Sequence, residues 1–349
     1  MSSPAVPWPV AGRLAGAVAG TYPLISSYHL EDLATTFPDA VARASEQVAA
    51  ETGLGLPGAP EVVVVSRREW VDRNLASFGA ILAPAERKLA ERLERAGGHR
   101  WGLASARAVM GAETGALLGF LSKRVLGQYE LVLPTGETGD AVAFVGANVL
   151  QMERSHQFRP SEFRFWVALH EAAHRAQFVG VPWMREYFLS LVEEMVTALE
   201  PDPTRIQQVV EEVLRRRRSG RPVVDESGLL GLFASGAQRA TLDRVQALMC
   251  LLEGHGHVVM DRLGARTLRS QPRMSRILKA RRSNPRTAAL FRLTGMELKI
   301  RQYELGERFV SGVEGAASWS MLDRAWESPD ALPSLEEIEE PTRWVRRVA

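Results

Sequence analysis

A chain of 349 residues, 46% hydrophobic and 24% charged, has the composition of a folded globular protein and the length for one large domain or two. Its net charge of +2 gives no global pull toward nucleic acid or an anionic membrane, and no run approaches the roughly 20 apolar residues of a membrane span. The single cysteine, Cys250, excludes an internal disulfide and suits a reducing compartment, so the cytoplasm is the expected location.

In chain order, residues 1–30 are punctuated by Pro and Gly, and the stretch from Ala11 to Tyr22 lacks the basic start and strong apolar core of a signal peptide. A helix is expected over Asp39–Thr52, opening after Pro38, then a β-branched strand over Glu61–Val65. Trp70–Ala96 reads as a long helix with a break or new start at Pro84, and Ala104–Leu121 as another. Gln128–Leu133 and Ala141–Leu150 read as strands joined by the turn-rich stretch 134–139, an antiparallel pair. Such a pair offers an edge along which an extended peptide could dock by backbone hydrogen bonding.

Ser161 is the expected N-cap of the next helix, Gly180 its end, and a further helix runs over Trp183–Leu199. Helical periodicity continues over Arg205–Arg218, lapses over Gly220–Gly236 in a candidate lid, and resumes over Gln238–Leu263. Several helices then fill Met274–Asp323, and a Pro- and Glu-rich tail ends the chain. The fold class expected is mainly α with a small antiparallel β-sheet. The expected division is a mostly helical region over 1–125 and a metal-binding domain over 126–349.

The chemistry concentrates in His170-Glu-Ala-Ala-His174, the H-E-x-x-H spacing of a zinc hydrolase. Residues four apart share one helix face, so both imidazoles can grip one ion. Glu171, beside them, can take a proton from a water activated by the metal. The competing explanation is a polar surface with two solvated histidines. The apolar neighbours Phe165, Trp166, Leu169 and Ala173 speak against it.

A catalytic zinc takes a third protein ligand, and no histidine lies between His174 and His255. Glu253 is the preferred donor. It sits on the shoulder of an apolar stripe, beside Gly254 and Gly256, whose cost in a helix makes sense where another element approaches closely. Glu194, on the helix after the motif, is the rival, and its pattern of burial does not separate the two. His257 shares the face of Glu253 and is a possible supporting partner or alternative ligand, whereas His255 points elsewhere on a regular helix.

Four segments resemble a known family. These are Phe165-Trp-Val-Ala-Leu-His-Glu-Ala-Ala-His-Arg-Ala-Gln-Phe178, the run from Gln246 to Asp261, and the C-terminal pieces Arg301-Gln-Tyr-Glu-Leu-Gly306 and Trp326-Glu-Ser-Pro329. Together they resemble mainly actinobacterial zincin-like proteins, described as zinc-dependent metalloproteases or as coenzyme F420 biosynthesis-associated. The resemblance runs from about Phe78 to the C-terminus. It implies a zincin-like metallopeptidase core with zinc on His170, His174 and Glu253, and Glu171 as base. The F420 label implies a genomic association, not F420 as a cofactor. The family pattern often has a glutamate where this chain has His257, so no role is carried over to that position.

The leading expectation is therefore a zinc metallopeptidase that hydrolyses peptide or small amide bonds. Tyr303, Tyr187, His255 and Arg301 are candidate oxyanion donors by residue type. A zinc-containing scaffold without protease activity is the alternative. An anion- or nucleic-acid-binding module would use the basic runs Arg262–Arg282 and Arg215–Arg218, but near-neutral charge makes nucleic acid an unexpected partner.

Overall fold

The computed structural model describes residues 7–95, 100–132, 138–197, 236–282 and 296–349. The chain divides into two compact units, Met1–Arg185 with Val259–Arg276, and Glu186–Val258 with Ile277–Ala349. No helix among the described residues is long and apolar enough to cross a membrane.

The first unit is built around three strands, β1 (Glu61–Val65), β2 (Gly127–Val132) and β3 (Thr138–Val145), in the order β1-β3-β2. β2 and β3 form the expected antiparallel pair, with Gly127 opposite Phe144. β1 joins parallel to β3, Glu61 opposite Ala141 and Val65 opposite Val145, so the small sheet is mixed. A parallel neighbour requires a crossover connection. Helices α3 (Arg67–Arg95) and α4 (Arg100–Leu121) lie in that connection.

Alternation along the strands sends successive side chains to opposite faces. Ala143, Val145 and Val65 form one core with Trp70, Val71 and Leu75 of α3, Leu118 of α4, and Ala11 and Ala15 of α1 (Trp8–Ala19). On the other face Phe144 stacks on Phe37 of α2 (Tyr28–Thr52), with ring centroids 3.7 Å apart. Tyr129 stacks there on Phe178 of α6 (Pro160–Val179). The sheet is thus sandwiched between helices, and α6 is buried over most of its circumference.

Several expected boundaries shift for identifiable reasons. The apolar run Ala141–Leu150 is not one strand, because a helix, α5 (Gly146–His156), begins at Gly146. Apolar continuity cannot distinguish a buried strand from a buried helix. Gly146 marks the switch: a Cβ there would come within 2.9 Å of Val64 and 3.0 Å of Leu30. Buried Asn148 then donates to the carbonyls of Ser122 and Val125. α2 opens at Tyr28, with Pro38 inside it. α6 opens on Pro160 with Arg159 at the cap, not Ser161, since proline's fixed φ suits the first helical position.

α7 (Met184–Thr197) comes next in the chain, and from Glu186 onward it belongs to the second unit. The long helix α8 (Gly236–Thr267) is continuous, with residues 236–258 in the second unit and 259–267 in the first. In the first unit its Gly264 lies against Trp166 of α6. α9 (Gln271–Arg282) and α10 (Met296–Ala316) follow. The C-terminal stretch is not a bare tail. It folds into a 3-10 helix over Trp319–Trp326 and the short helices α11 (Leu335–Glu339) and α12 (Pro341–Val348). The buried Trp344 ring anchors this stretch, with Nε1 donating to Ala331 O. The expected helix over Arg205–Arg218, the loop Gly220–Gly236 up to residue 235, and most of the turn 134–139 lie outside the described residues.

Candidate metal centre

α6 places His170 and His174 one turn apart, with Nε2 atoms 3.1 Å from each other and rings nearly perpendicular. Two imidazole lone pairs at that separation repel unless a proton or a cation lies between them. Two nitrogens bound tetrahedrally to zinc at 2.0–2.1 Å stand about 3.3 Å apart. The donor pair therefore fits a metal ion of this size.

One ring is oriented by the same helix. His174 Nδ1 lies 3.0 Å from Oε1 of the fully buried Gln177, three residues on. An amide oxygen only accepts, so this contact favours the tautomer with its proton on Nδ1 and its lone pair on Nε2. Sequence reasoning missed Gln177. The available signal was a polar side chain on the histidine face of an otherwise apolar helix.

Glu171 is buried, and its carboxylate lies against the backbone of Gly127 at the start of β2. The next helical turn is pinned by Arg175, whose side chain has no exposure. Its Nε donates to Asp140 Oδ1 at 2.8 Å, and its second arm reaches Asp140 Oδ2 at 2.6 Å and Pro57 O at 2.7 Å. Arg185 adds a strap to Gly139 O and to the Tyr129 hydroxyl. Burial pushes the Tyr129 phenol above its usual range, so it stays neutral. Arg175 thus ties α6 to β3, and Arg185 ties the first turn of α7 to β2 and β3.

The second unit holds the other sequence-predicted residues. Glu253 is buried on α8, next to Gly254. The expected close approach occurs there: a Cβ on Gly254 would fall 2.2 Å from the Gly306 carbonyl carbon of α10, and one on Gly306 would fall 2.0 Å from Cys250 O. The two helices cross backbone to backbone, which offsets the poor helix propensity of glycine. Glu194, the rival ligand, is about half exposed and pairs with Arg244, while Thr241 Oγ1 donates to it at 3.2 Å.

His257 and His255 have neighbours of their own. His257 Nδ1 is 2.6 Å from Glu307 Oε1, and Lys279 Nζ is 3.3 Å from the other carboxylate oxygen. Burial alone would raise the Glu307 pKa, but the hydrogen bond and charge of His257, then those of Lys279, bring it down to about 2. His255 stacks on Trp319 at 5.7 Å and meets Trp326 edge-on at 5.1 Å. Tyr187 is partly buried, and burial raises its pKa. The side chains of Arg301 and Tyr303 lie outside the described residues.

The basic run also finds partners. Arg266 and Arg262 reach Glu51 at 2.5 and 3.6 Å, and Arg273 donates to the carbonyls of His156 and Gln157. Arg215–Arg218 lie outside the described residues.

Comparison with protein families matches the zincin-like metallopeptidase model over residues 6–345. The chain belongs to this zincin-like family. Such a family implies a metal ion, typically zinc, and the His170–His174 donor pair suits one. A crystal structure from Chloroflexus aurantiacus, described as a candidate hydrolase with a novel fold, is similar at 31% identity. The match covers 98% of each chain with a TM-score of 0.70. A search of curated proteins finds no match. Family and neighbour together support a metal-dependent hydrolase.

Proposed function

We propose that this zincin-like protein is a cytoplasmic zinc metallopeptidase in which His170, His174 and Glu253 hold the metal and Glu171 handles the proton. The observation that carries the reading is the 3.1 Å approach of two Nε2 atoms on a buried helix, one ring oriented by Gln177. Glu253 is favoured as third donor because it is a buried carboxylate, on the helix whose later turns pack against α6. Glu194 is half exposed and engaged by Arg244.

Zinc bound there would supply Lewis acidity, polarising the scissile carbonyl and lowering the pKa of a water toward about 7. Glu171 accepts a proton from the attacking water as the water oxygen bonds to the carbonyl carbon. It returns that proton to the leaving amine as the C–N bond breaks. Among the described residues β2 is an edge strand, and its Gly127 lies against the Glu171 carboxylate. An extended peptide pairing with that strand would lie alongside the proposed base, which favours a peptide over a compact metabolite as substrate.

Metal analysis combined with digestion of a peptide library tests the proposal. The expected result is one zinc per chain and cleavage that a chelator abolishes. Glu171→Gln should keep the zinc and lose the cleavage. Zinc without chelator-sensitive cleavage would favour a metal-holding scaffold and end the peptidase reading.

A further inference from the structure

We propose that Gly127 is a positioning residue, and that the absence of a side chain there holds the Glu171 carboxylate in place. This deepens the peptidase reading and rests on it for its catalytic consequence only.

Glycine weakens a strand and, inside one, commonly marks the close approach of another group. Gly127 opens β2 in regular register, opposite Phe144 of β3. Among the described glycines the positive-φ positions are Gly20, Gly53 and Gly58, so the backbone at Gly127 does not require glycine. The surroundings do. A Cβ on Gly127 would stand 2.8 Å from Glu171 Cγ, 2.8 Å from Oε1 and 2.9 Å from Cδ. All three are closer than real methyl contacts allow. Tyr129, two residues on and therefore on the same face, stacks on Phe178 of α6, so this face of β2 looks at the motif helix.

The crowded atoms are the end of a flexible side chain and not backbone. A methyl group at 127 can therefore be accommodated by moving the carboxylate while α6 and β2 keep their places. The three atoms it would meet first all belong to Glu171. The strand thus acts as a wall that selects one placement of the proposed base, and Gly127 sets the position of that wall.

The test is Gly127→Ala in the full chain, alone and combined with Glu171→Ala. The single variant is expected to keep one zinc per chain and to melt several degrees lower. Its crystal structure should show the carboxylate displaced by about 1 Å, a misplacement that lowers kcat by about 100-fold. KM should be unchanged. In the Glu171→Ala background, where the crowded atoms are gone, Gly127→Ala should cost no thermal stability. An undisplaced carboxylate, or an equal loss of Tm in both backgrounds, would overturn the inference. If the wild type cleaves no peptide, the peptidase reading fails, while the melting comparison still decides the role of Gly127.

Discussion

Helices α6 and α8 each carry two histidines close together, and the two pairs are used differently. In α6 the spacing of four puts both rings on one face, with their Nε2 atoms 3.1 Å apart. In α8 the spacing of two turns the side chains about 200° apart around the axis. There His255 lies against two tryptophans, and His257 Nδ1 is 2.6 Å from Glu307 Oε1. The first pair is arranged around a position that a cation would occupy, the second around protein partners. Spacing sorts a pair whose nitrogens converge from a pair that faces separate protein partners.

The largest expected effect breaks this contrast directly. His174→Ala removes one of the two facing nitrogens and should release the zinc, with a fall in metal affinity of about a thousandfold or more. Zinc per chain after dialysis measures it. His257→Ala should leave zinc content unchanged and lower Tm instead, because it leaves the Glu307 carboxylate with Lys279 in place of two partners. If His257→Ala released zinc and His174→Ala did not, the roles assigned to the two helices would have to be exchanged.

How much of this was legible beforehand follows the same division. The α6 pair could be read because a 3.6-residue period and metal geometry are both local properties. The helical class, the β2–β3 pair and the close approach at Gly254 also follow from local pattern. The parallel placement of β1 could not be read, since it depends on a crossover through α3 and α4. The end of β3 at Val145 was hidden because one apolar run serves both a strand and the helix that begins at Gly146. Gly127 precedes the expected strand Gln128–Leu133 and carries no signal in the sequence. Only the position of Glu171 from a distant segment gives it a meaning. The C-terminal stretch reads as a tail because Pro and Glu dominate its composition, yet Trp326, Ile338 and Trp344 are buried in it.

A smaller effect sharpens the contrast through acid. Glu307 has a pKa of about 2 in the folded protein, below its usual value of 4.5. A carboxylate lowered on folding stabilises the protein above its unfolded pKa, and that contribution is lost as pH falls through the folded one. The window therefore runs from about pH 4.5 down to pH 2, with a loss on the order of 3 kcal/mol. Urea unfolding of metal-free protein separates this from zinc release. Glu307→Gln should be less stable than wild type at pH 6 and should flatten the acid slope. An unchanged slope would remove the ion pair from the account of α8.

The finest test concerns the amide that orients His174. Removing the Gln177 side chain leaves both zinc-facing nitrogens in place but frees the other nitrogen of the His174 ring from its partner at 3.0 Å. The ring can then rotate, and its proton can settle on Nε2, the nitrogen needed as donor. Groups that hold a ligating histidine typically contribute 10- to 100-fold to metal affinity. A neutral amide belongs at the lower end, so Gln177→Ala is expected to weaken zinc binding about tenfold. Competition with a chromophoric chelator measures this. Gln177→Glu should restore or exceed wild-type affinity, because a carboxylate accepts the same Nδ1 proton more strongly. Equal affinities in all three proteins would mean that packing alone holds the His174 ring, and the second nitrogen would drop out of the argument for the metal.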